Sequence, residues 1–357
     1  MSQNNSHKQE VTFTNDVLTV LSQIVTELKP NRTLLIADEN TAVYCLPSLQ
    51  TITDVPAVVT PAGDKAKNLD SLTAIWKGLE ANGATRQSLV VNVGGGVVTD
   101  MGGFAAATLK RGLRFVNVPT TLLSAVDAAV GGKTGINFNG LKNEVGAFAP
   151  ACHVVISTRF FATLPLTEIM SGFAEMIKHG MLCSTDTFNR LLDYDVRNAK
   201  EHLDQLLELL EESVNVKRHI VAADPEEHGI RRALNLGHTV GHAFESLALE
   251  RKSPIPHGYA VAWGLVAETV LSHMRLGFPS ATLHRLADYV RENYGAFHIT
   301  CDDYPKLISL MQHDKKSRNG EINCTLLTDC GAINIDQTIS REEMESALDI
   351  YRDLMGI

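Results

Sequence analysis

Arg231, Asn235, His238, His242 and Glu245 follow one another at intervals of 4, 3, 4 and 3 within the segment RRALNLGHTVGHAFE. Side chains at those intervals share one face of an α-helix. A solvated face would be rich in Lys and Glu, and a core face rich in Leu and Val. This one joins a guanidinium, an amide and two imidazoles, which suits an anionic, hydroxylated ligand or a metal ion. A second segment, SGFAEMIKHGML, sets Glu175, Lys178 and His179 at i, i+3 and i+4 among apolar neighbours. A Glu–Lys pair at that spacing can be a plain surface ion pair, yet charges in so apolar a stretch are costly unless used. His257, in PHGYA, opens a further helical stretch and brings a third imidazole. Spacing alone selects His238 and His242 as a chelating pair with Glu175. It does not decide between His242 and His257.

A different chemistry is written around residue 94. Val90–Val91–Asn92–Val93 runs into Gly94, Gly95 and Gly96 and then into a helical pattern. A strand–turn–helix without side chains at the turn lets a pyrophosphate approach backbone N–H groups at a helix N-terminus. The alternative is a tight turn that needs positive φ. The motif is not GxGxxG, so it does not by itself support a Rossmann fingerprint. Asp38, closing the first strong strand, is placed like a ribose-binding carboxylate or like the cap of the next helix.

These residues need a scaffold, and the sequence outlines one. Short β-branched runs at 33–37, 57–60, 88–93, 115–118 and 154–156 alternate with helical spacing at 71–81 and 99–108. That alternation predicts a parallel sheet covered by helices. After about residue 166 the texture becomes helical, with stretches at 167–181, 200–223, 230–249, 259–276, 281–294 and 341–355. Leu203, Leu206, Leu207, Leu210 and Val214 form an apolar stripe on the second of these. The expected fold is an α/β N-terminal domain with a mostly parallel sheet over 1–165, followed by an all-helical domain over 166–357. No repeat or low-complexity linker separates them, so tight packing around a shared cleft is expected.

The 357 residues suit about two domains. Lys and Arg number 32 against 41 Asp and Glu, a formal net charge of −9. An acidic chain lacks the cation excess of a general nucleic-acid binder. No run approaches the ~18 apolar residues of a membrane span, and the polar start MSQNNSHKQE has no signal-peptide core. The six cysteines are scattered without a CxxC pair, which fits a reducing cytoplasm better than a disulfide framework.

The stretch 94–150, GGGVVTDMGGFAAATLKRGLRFVNVPTTLLSAVDAAVGGKTGINFNGLKNEVGAFAP, together with LPLTEIMSGFAEMIKHG and LNLGHTVGHAFE, closely resembles the 3-dehydroquinate synthase family. The resemblance runs from about Asp38 to Lys316. PTTLL, VGGKTG and NLGHTVGHA are long and specific; Thr99, where the family commonly has Gly, and Asp64, where Glu is usual, are departures. The resemblance implies an N-terminal NAD-binding domain, a C-terminal metal domain taking Zn2+ or Co2+, and a homodimer. It implies metal ligands Glu175, His238 and His257, which overrides the pairing chosen by spacing and leaves His242 near a substrate phosphate. NAD is implied against Gly94, Gly95, Gly96, Val97, Asp100, Thr120 and Thr121, with Asp38, Asp64, Lys67, Lys133, Lys142, Phe160 and Thr163 contributing. Asp127, Lys178, Lys217 and Asn235 are implied around substrate hydroxyls, and Arg231 on a carboxylate. Lys133, Asn143, His242 and Lys316 are implied on the phosphate, with Lys315 adjacent to the last and Arg111 donated across the dimer.

The implied substrate is 3-deoxy-arabino-heptulosonate 7-phosphate, a sugar acid with one carboxylate and one phosphate. Arg231, Lys133, Lys142, Lys178, Lys217 and Lys316 make a local cation field that opposes the acidic net charge. The implied reaction oxidises carbon 5 transiently through NAD, with a Lewis-acid metal, eliminates phosphate, returns the hydride, opens the ring and closes a carbocycle by an aldol step. Cyclases of carboxylate-free sugar phosphates would not need Arg231 and Asn235. A polyol dehydrogenase would release NADH, and a non-catalytic NAD-binding protein would not need the set Glu175, His238 and His257.

Overall fold

The protein is described by a computed structural model covering residues 9–312 and 321–357. It divides into two units: one runs to Pro165 and includes Ala199–Val214, and the other holds Leu166–Asn198 and Asn215–Ile357. The segment 199–214, grouped with the second domain on sequence, therefore counts with the first unit.

The first unit is built on a six-stranded sheet. Its strands are β1 (Glu10–Phe13), β2 (Thr33–Asp38), β3 (Val58–Thr60), β4 (Leu89–Gly94) and β5 (Arg114–Pro119), followed after the antiparallel hairpin β6 (Lys133–Phe138) and β7 (Leu141–Phe148) by β8 (His153–Ile156). Their order is β1-β8-β5-β4-β2-β3, and every pairing in the sheet is parallel. Helices α1 (Val17–Leu28), α2 (Glu39–Tyr44), α3 (Leu69–Ala81) and α4 (Gly96–Thr108) alternate with these strands. Every residue of β2 and β4 is buried, as expected for parallel strands covered on both faces. Leu35, Val91, Val93, Val116, Val118 and Val155 pack against Val17, Leu21 and Ile24 of α1 in one apolar cluster. Asn92 and Asn117 face each other in the β4–β5 register and bond at 2.9 Å.

The second unit contains α5 (Leu166–Cys183), α6 (Thr185–Leu192), the C-terminal part of α7 (Leu203–Ala223), α8 (His238–Glu250), α9 (His257–Leu276), α10 (Ser280–Tyr294), α11 (Tyr304–Gln312) and α12 (Arg341–Met355). It is mostly rather than all helical, because β9 (Ile322–Asp329) and β10 (Ala332–Ile339) form an antiparallel ribbon. A second correction concerns 230–249, which is not one helix. Residues Ile230–Asn235 form a 3₁₀ turn, Leu236 is extended at φ −53° and ψ 128°, and Gly237 is left-handed at φ 77°. No helix among the described residues is long and apolar enough to cross a membrane.

Candidate active site

Three helices of the second unit bring four ligand-type side chains together, and missing side chains set their distance. A Cβ on Gly264 of α9 would lie 2.0 Å from the carbonyl oxygen of Gly237, and one on Gly258 would lie 1.8 Å from that of Ser171. The first glycine lets α9 lie against the start of α8. The second lets α9 begin against α5, where the Gly258 N–H donates to Ser171 Oγ at 3.0 Å. Glu175 stands one turn beyond Ser171, His257 opens α9 and His238 opens α8, so the three meet.

The carboxylate of Glu175 is fully buried and accepts no hydrogen bond of good geometry at either oxygen. Its Oε1 stands 3.4 Å from Nε2 of His238 and 3.4 Å from Nε2 of His257. Its Oε2 pairs closely with Lys178, itself 1 % exposed. Burial pushes the Glu175 carboxyl upward, but the charges of Lys178 and His238 hold it well below the ordinary carboxylate range. A buried carboxylate paired through one oxygen with Lys178 and turned through the other toward two imidazole nitrogens fits a divalent cation. The ring nitrogens of His238, His242 and His257 also fall within 4.8 Å of one another. On the far side of the His238 and His257 rings sits an acceptor: Leu236 O at 3.1 Å from Nδ1 of His238, and Glu245 Oε2 at 3.4 Å from Nδ1 of His257. Such partners turn Nε2 toward the cluster, the orientation a metal ligand needs.

The 3₁₀ turn beside α8 carries Arg231, which is 3 % exposed. Asp224 builds that loop by accepting from the N–H groups of Gly229, His228 and Arg231 at 2.6, 2.9 and 3.0 Å. The Arg231 guanidinium donates to Pro225 O, and Asn235 donates to Glu227 at 3.4 Å. The ribbon secures the segment, since Thr325 donates to Arg232 O at 3.0 Å and Thr239 to Asn323 O at 2.9 Å. Lys217 on α7 is a further buried cation, 5 % exposed.

In the first unit, α4 starts at the end of β4 without any side-chain cap at Gly95, leaving its first N–H groups for an anion. Gly94, Gly95 and Gly96 all have negative φ, so the turn's glycines supply room and not handedness. A Cβ on Gly95 would lie 3.1 Å from Thr121 Cγ2. Thr120 closes the turn by donating its N–H to Gly94 O at 3.0 Å. Beside it, buried Lys67 donates to Asp100 at 2.6 Å and to Asn143 Oδ1. An uncapped helix N-terminus over a side-chain-free turn fits a dinucleotide pyrophosphate.

Comparison with known proteins decides between the sugar-phosphate chemistries. The family description "3-dehydroquinate synthase N-terminal" matches residues 57–171, and "3-dehydroquinate synthase C-terminal" matches 172–317. A 3-dehydroquinate synthase of Parabacteroides distasonis is 47% identical over 98% of this chain and 99% of its own. The chain belongs to the 3-dehydroquinate synthase family. A second relative in that family, from Pyrococcus furiosus, is 40% identical over 81% of this chain and 84% of its own. The fold is shared with a 2-epi-5-epi-valiolone synthase of Streptomyces hygroscopicus subsp. jinggangensis, solved with NAD+ and Zn2+, at TM-score 0.87, 24% identity and 99% coverage of both chains. It is shared also with a 2-deoxy-scyllo-inosose synthase, solved with carbaglucose-6-phosphate, NAD+ and Co2+, at TM-score 0.80, 22% identity and 95% coverage of both.

Against this family background the expected residues fall into groups. Glu175, Lys178, His238, His242 and His257 converge. Arg231 and Asn235 do not share a helix face with the histidines, because the chain breaks at Leu236 and Gly237. Asp38 caps α2 by accepting from Thr41 N at 2.8 Å. Asp64 and Lys142 face each other at 4.0 Å on the surface. Val97 and Asp127 are half-buried, the latter in a short π-helical turn, Ser124–Ala128. Lys133 and Thr163 are exposed, with Phe160 half-buried beside Thr163, while Arg111 is exposed with φ 69°. Lys315 and Lys316 lie outside the described residues. Sequence reasoning missed Asp224, Glu227 and Glu268. Glu227 carried a faint signal as a carboxylate in DPEEHG just ahead of the arginines.

Proposed function

We propose that this protein converts 3-deoxy-D-arabino-heptulosonate 7-phosphate into 3-dehydroquinate and inorganic phosphate, an early step of the shikimate pathway. The observation that carries the proposal is the buried Glu175 carboxylate facing His238 and His257, in a chain of this family. The first unit (1–165 with 199–214) would hold NAD, and the second would hold Zn2+ or Co2+ on Glu175, His238 and His257. Once bound, NAD supplies a reversible hydride acceptor and the metal supplies Lewis acidity toward substrate oxygens.

The chain's own part is to bind and orient. Gly94, Gly95, Gly96, Val97, Asp100, Thr120 and Thr121 cradle the dinucleotide, helped by Asp38, Asp64, Lys67, Lys133, Lys142, Phe160 and Thr163. Arg231 takes the substrate carboxylate as a bidentate donor. Asp127, Lys178, Lys217 and Asn235 hold the hydroxyls. Lys133, Asn143, His242 and Lys316 hold the phosphate, with Arg111 acting from the second copy of a homodimer. His242 and Asn143 orient the leaving phosphate, whose own oxygens are basic enough to take the carbon 6 proton. Six free cysteines suit a reducing cytoplasm.

A substrate pair tests the specificity. With NAD and zinc supplied, phosphate release is expected from the heptulosonate phosphate and not from sedoheptulose 7-phosphate, which lacks the carboxylate. Release from the carboxylate-free sugar alone would defeat the proposal.

A further inference from the structure

Helix α8 has no cap of its own. Its N-cap is Gly237, which has no side chain, and the next residue is the ligand candidate His238. The cap comes from the neighbouring helix. Glu268, in the middle of α9 and fully buried, accepts from Gly237 N–H at 2.7 Å through Oε2 and from Val240 N–H at 3.0 Å through Oε1. Val240 is the third residue of α8, so its N–H is the one an N-cap side chain ordinarily takes. Gly237 N–H is the one taken by the reciprocal member of a capping box. One carboxylate from α9 thus performs both halves.

The Gly237 N–H belongs to the same planar peptide unit as the Leu236 C=O, so fixing one end orients the other. That carbonyl is the acceptor facing Nδ1 of His238, whose Nε2 points to Glu175. A continuous path therefore runs from Glu268 through the Leu236–Gly237 peptide and the His238 ring to the ligand cluster. The same glutamate stands on the helix that opens with His257. We infer that Glu268 is a positioning residue of the metal centre, fixing the ring orientation and tautomer of His238 relative to His257. This rests on the metal-centre reading above.

In Glu268→Gln the amide supplies one acceptor, and its NH2 group meets a backbone N–H. Zinc affinity, measured by competition with a chromophoric chelator, is expected to fall about 10- to 100-fold. The visible spectrum of the cobalt-loaded protein should change as well. Ser340→Ala is the control, because Ser340 caps α12 by accepting from Glu343 N–H at 3.2 Å. It should lower stability while leaving zinc affinity and the cobalt spectrum unchanged. Wild-type affinity and spectrum in Glu268→Gln would overturn the inference, as would an equal loss of affinity in Ser340→Ala. Hydrogen exchange of the metal-free wild type tests it without any variant. The Gly237 and Val240 amides should already be protected; exchange at the rate of an unstructured chain would overturn the inference. A wild-type protein that binds neither zinc nor cobalt would instead defeat the metal-centre reading itself.

Discussion

His257 sits between two carboxylates, with Nε2 facing Glu175 and Nδ1 facing Glu245, each at 3.4 Å. Burial pushes its pKa down, but the two carboxylates push it up further, to about 9 from an ordinary 6.5. The metal-free folded state therefore holds a proton that the unfolded chain has lost between those values. Its contribution to stability is complete below pH 6.5 and disappears as pH rises through about 9. A metal ion needs the neutral ring, so zinc affinity should rise over the same interval. Denaturant titrations of the metal-free protein and zinc titrations at several pH values should slope in opposite directions, and parallel slopes would refute the pairing. The identity of the third imidazole is a separate question at this scale. His257→Ala is expected to lose bound metal, whereas His242→Ala should keep it and turn over more slowly, as metal analysis and phosphate release would record. The presence of Glu175, His238, His242 and His257 was legible in residue types and spacing. The choice between His242 and His257 was not, because they lie on different helices and their approach depends on packing that spacing does not encode.

At the scale of elements, glycines and a break in the chain set the geometry. Gly264→Ala would place a methyl 2.0 Å from the Gly237 carbonyl oxygen. A backbone atom cannot turn aside, so α8 and α9 must separate. Unfolding by denaturant should show a loss of about 1–3 kcal/mol, the usual range for overpacking, together with weaker zinc binding. An unchanged zinc affinity would mean that the α8–α9 approach does not set the site. The same region shows where periodicity misleads. Polar spacing ran unbroken from Arg231 to Glu245, yet the backbone changes course at Leu236 and Gly237. A glycine is compatible with a helical pattern, and nothing in the spacing announces that it is left-handed. The parallel strands were legible because they are buried on both faces and read as continuous apolar runs. Hairpin β6–β7 was not, since β7 is exposed along almost its whole length and shows no apolar alternation. The β9–β10 ribbon escaped for a related reason: the middle of β9 is buried residue after residue, so no period of two appears.

For the whole molecule, a net charge of −9 is a poor guide to the ligand. Lys178, Lys217 and Arg231 are 1 %, 5 % and 3 % exposed, so a few cations lie in the interior of an acidic chain. Lys178 already meets Glu175 there, and a carboxylated sugar phosphate would bring further negative charge to such a field. The most direct measurement incubates the purified protein with heptulosonate phosphate, zinc and NAD at a small fraction of the substrate concentration, and follows dehydroquinate, phosphate and NADH together. Dehydroquinate and phosphate should form in equal amounts, far exceeding the NAD added, without accumulation of NADH. Accumulation of NADH in proportion to substrate consumed, or absence of dehydroquinate when zinc and NAD are both bound, would contradict the account.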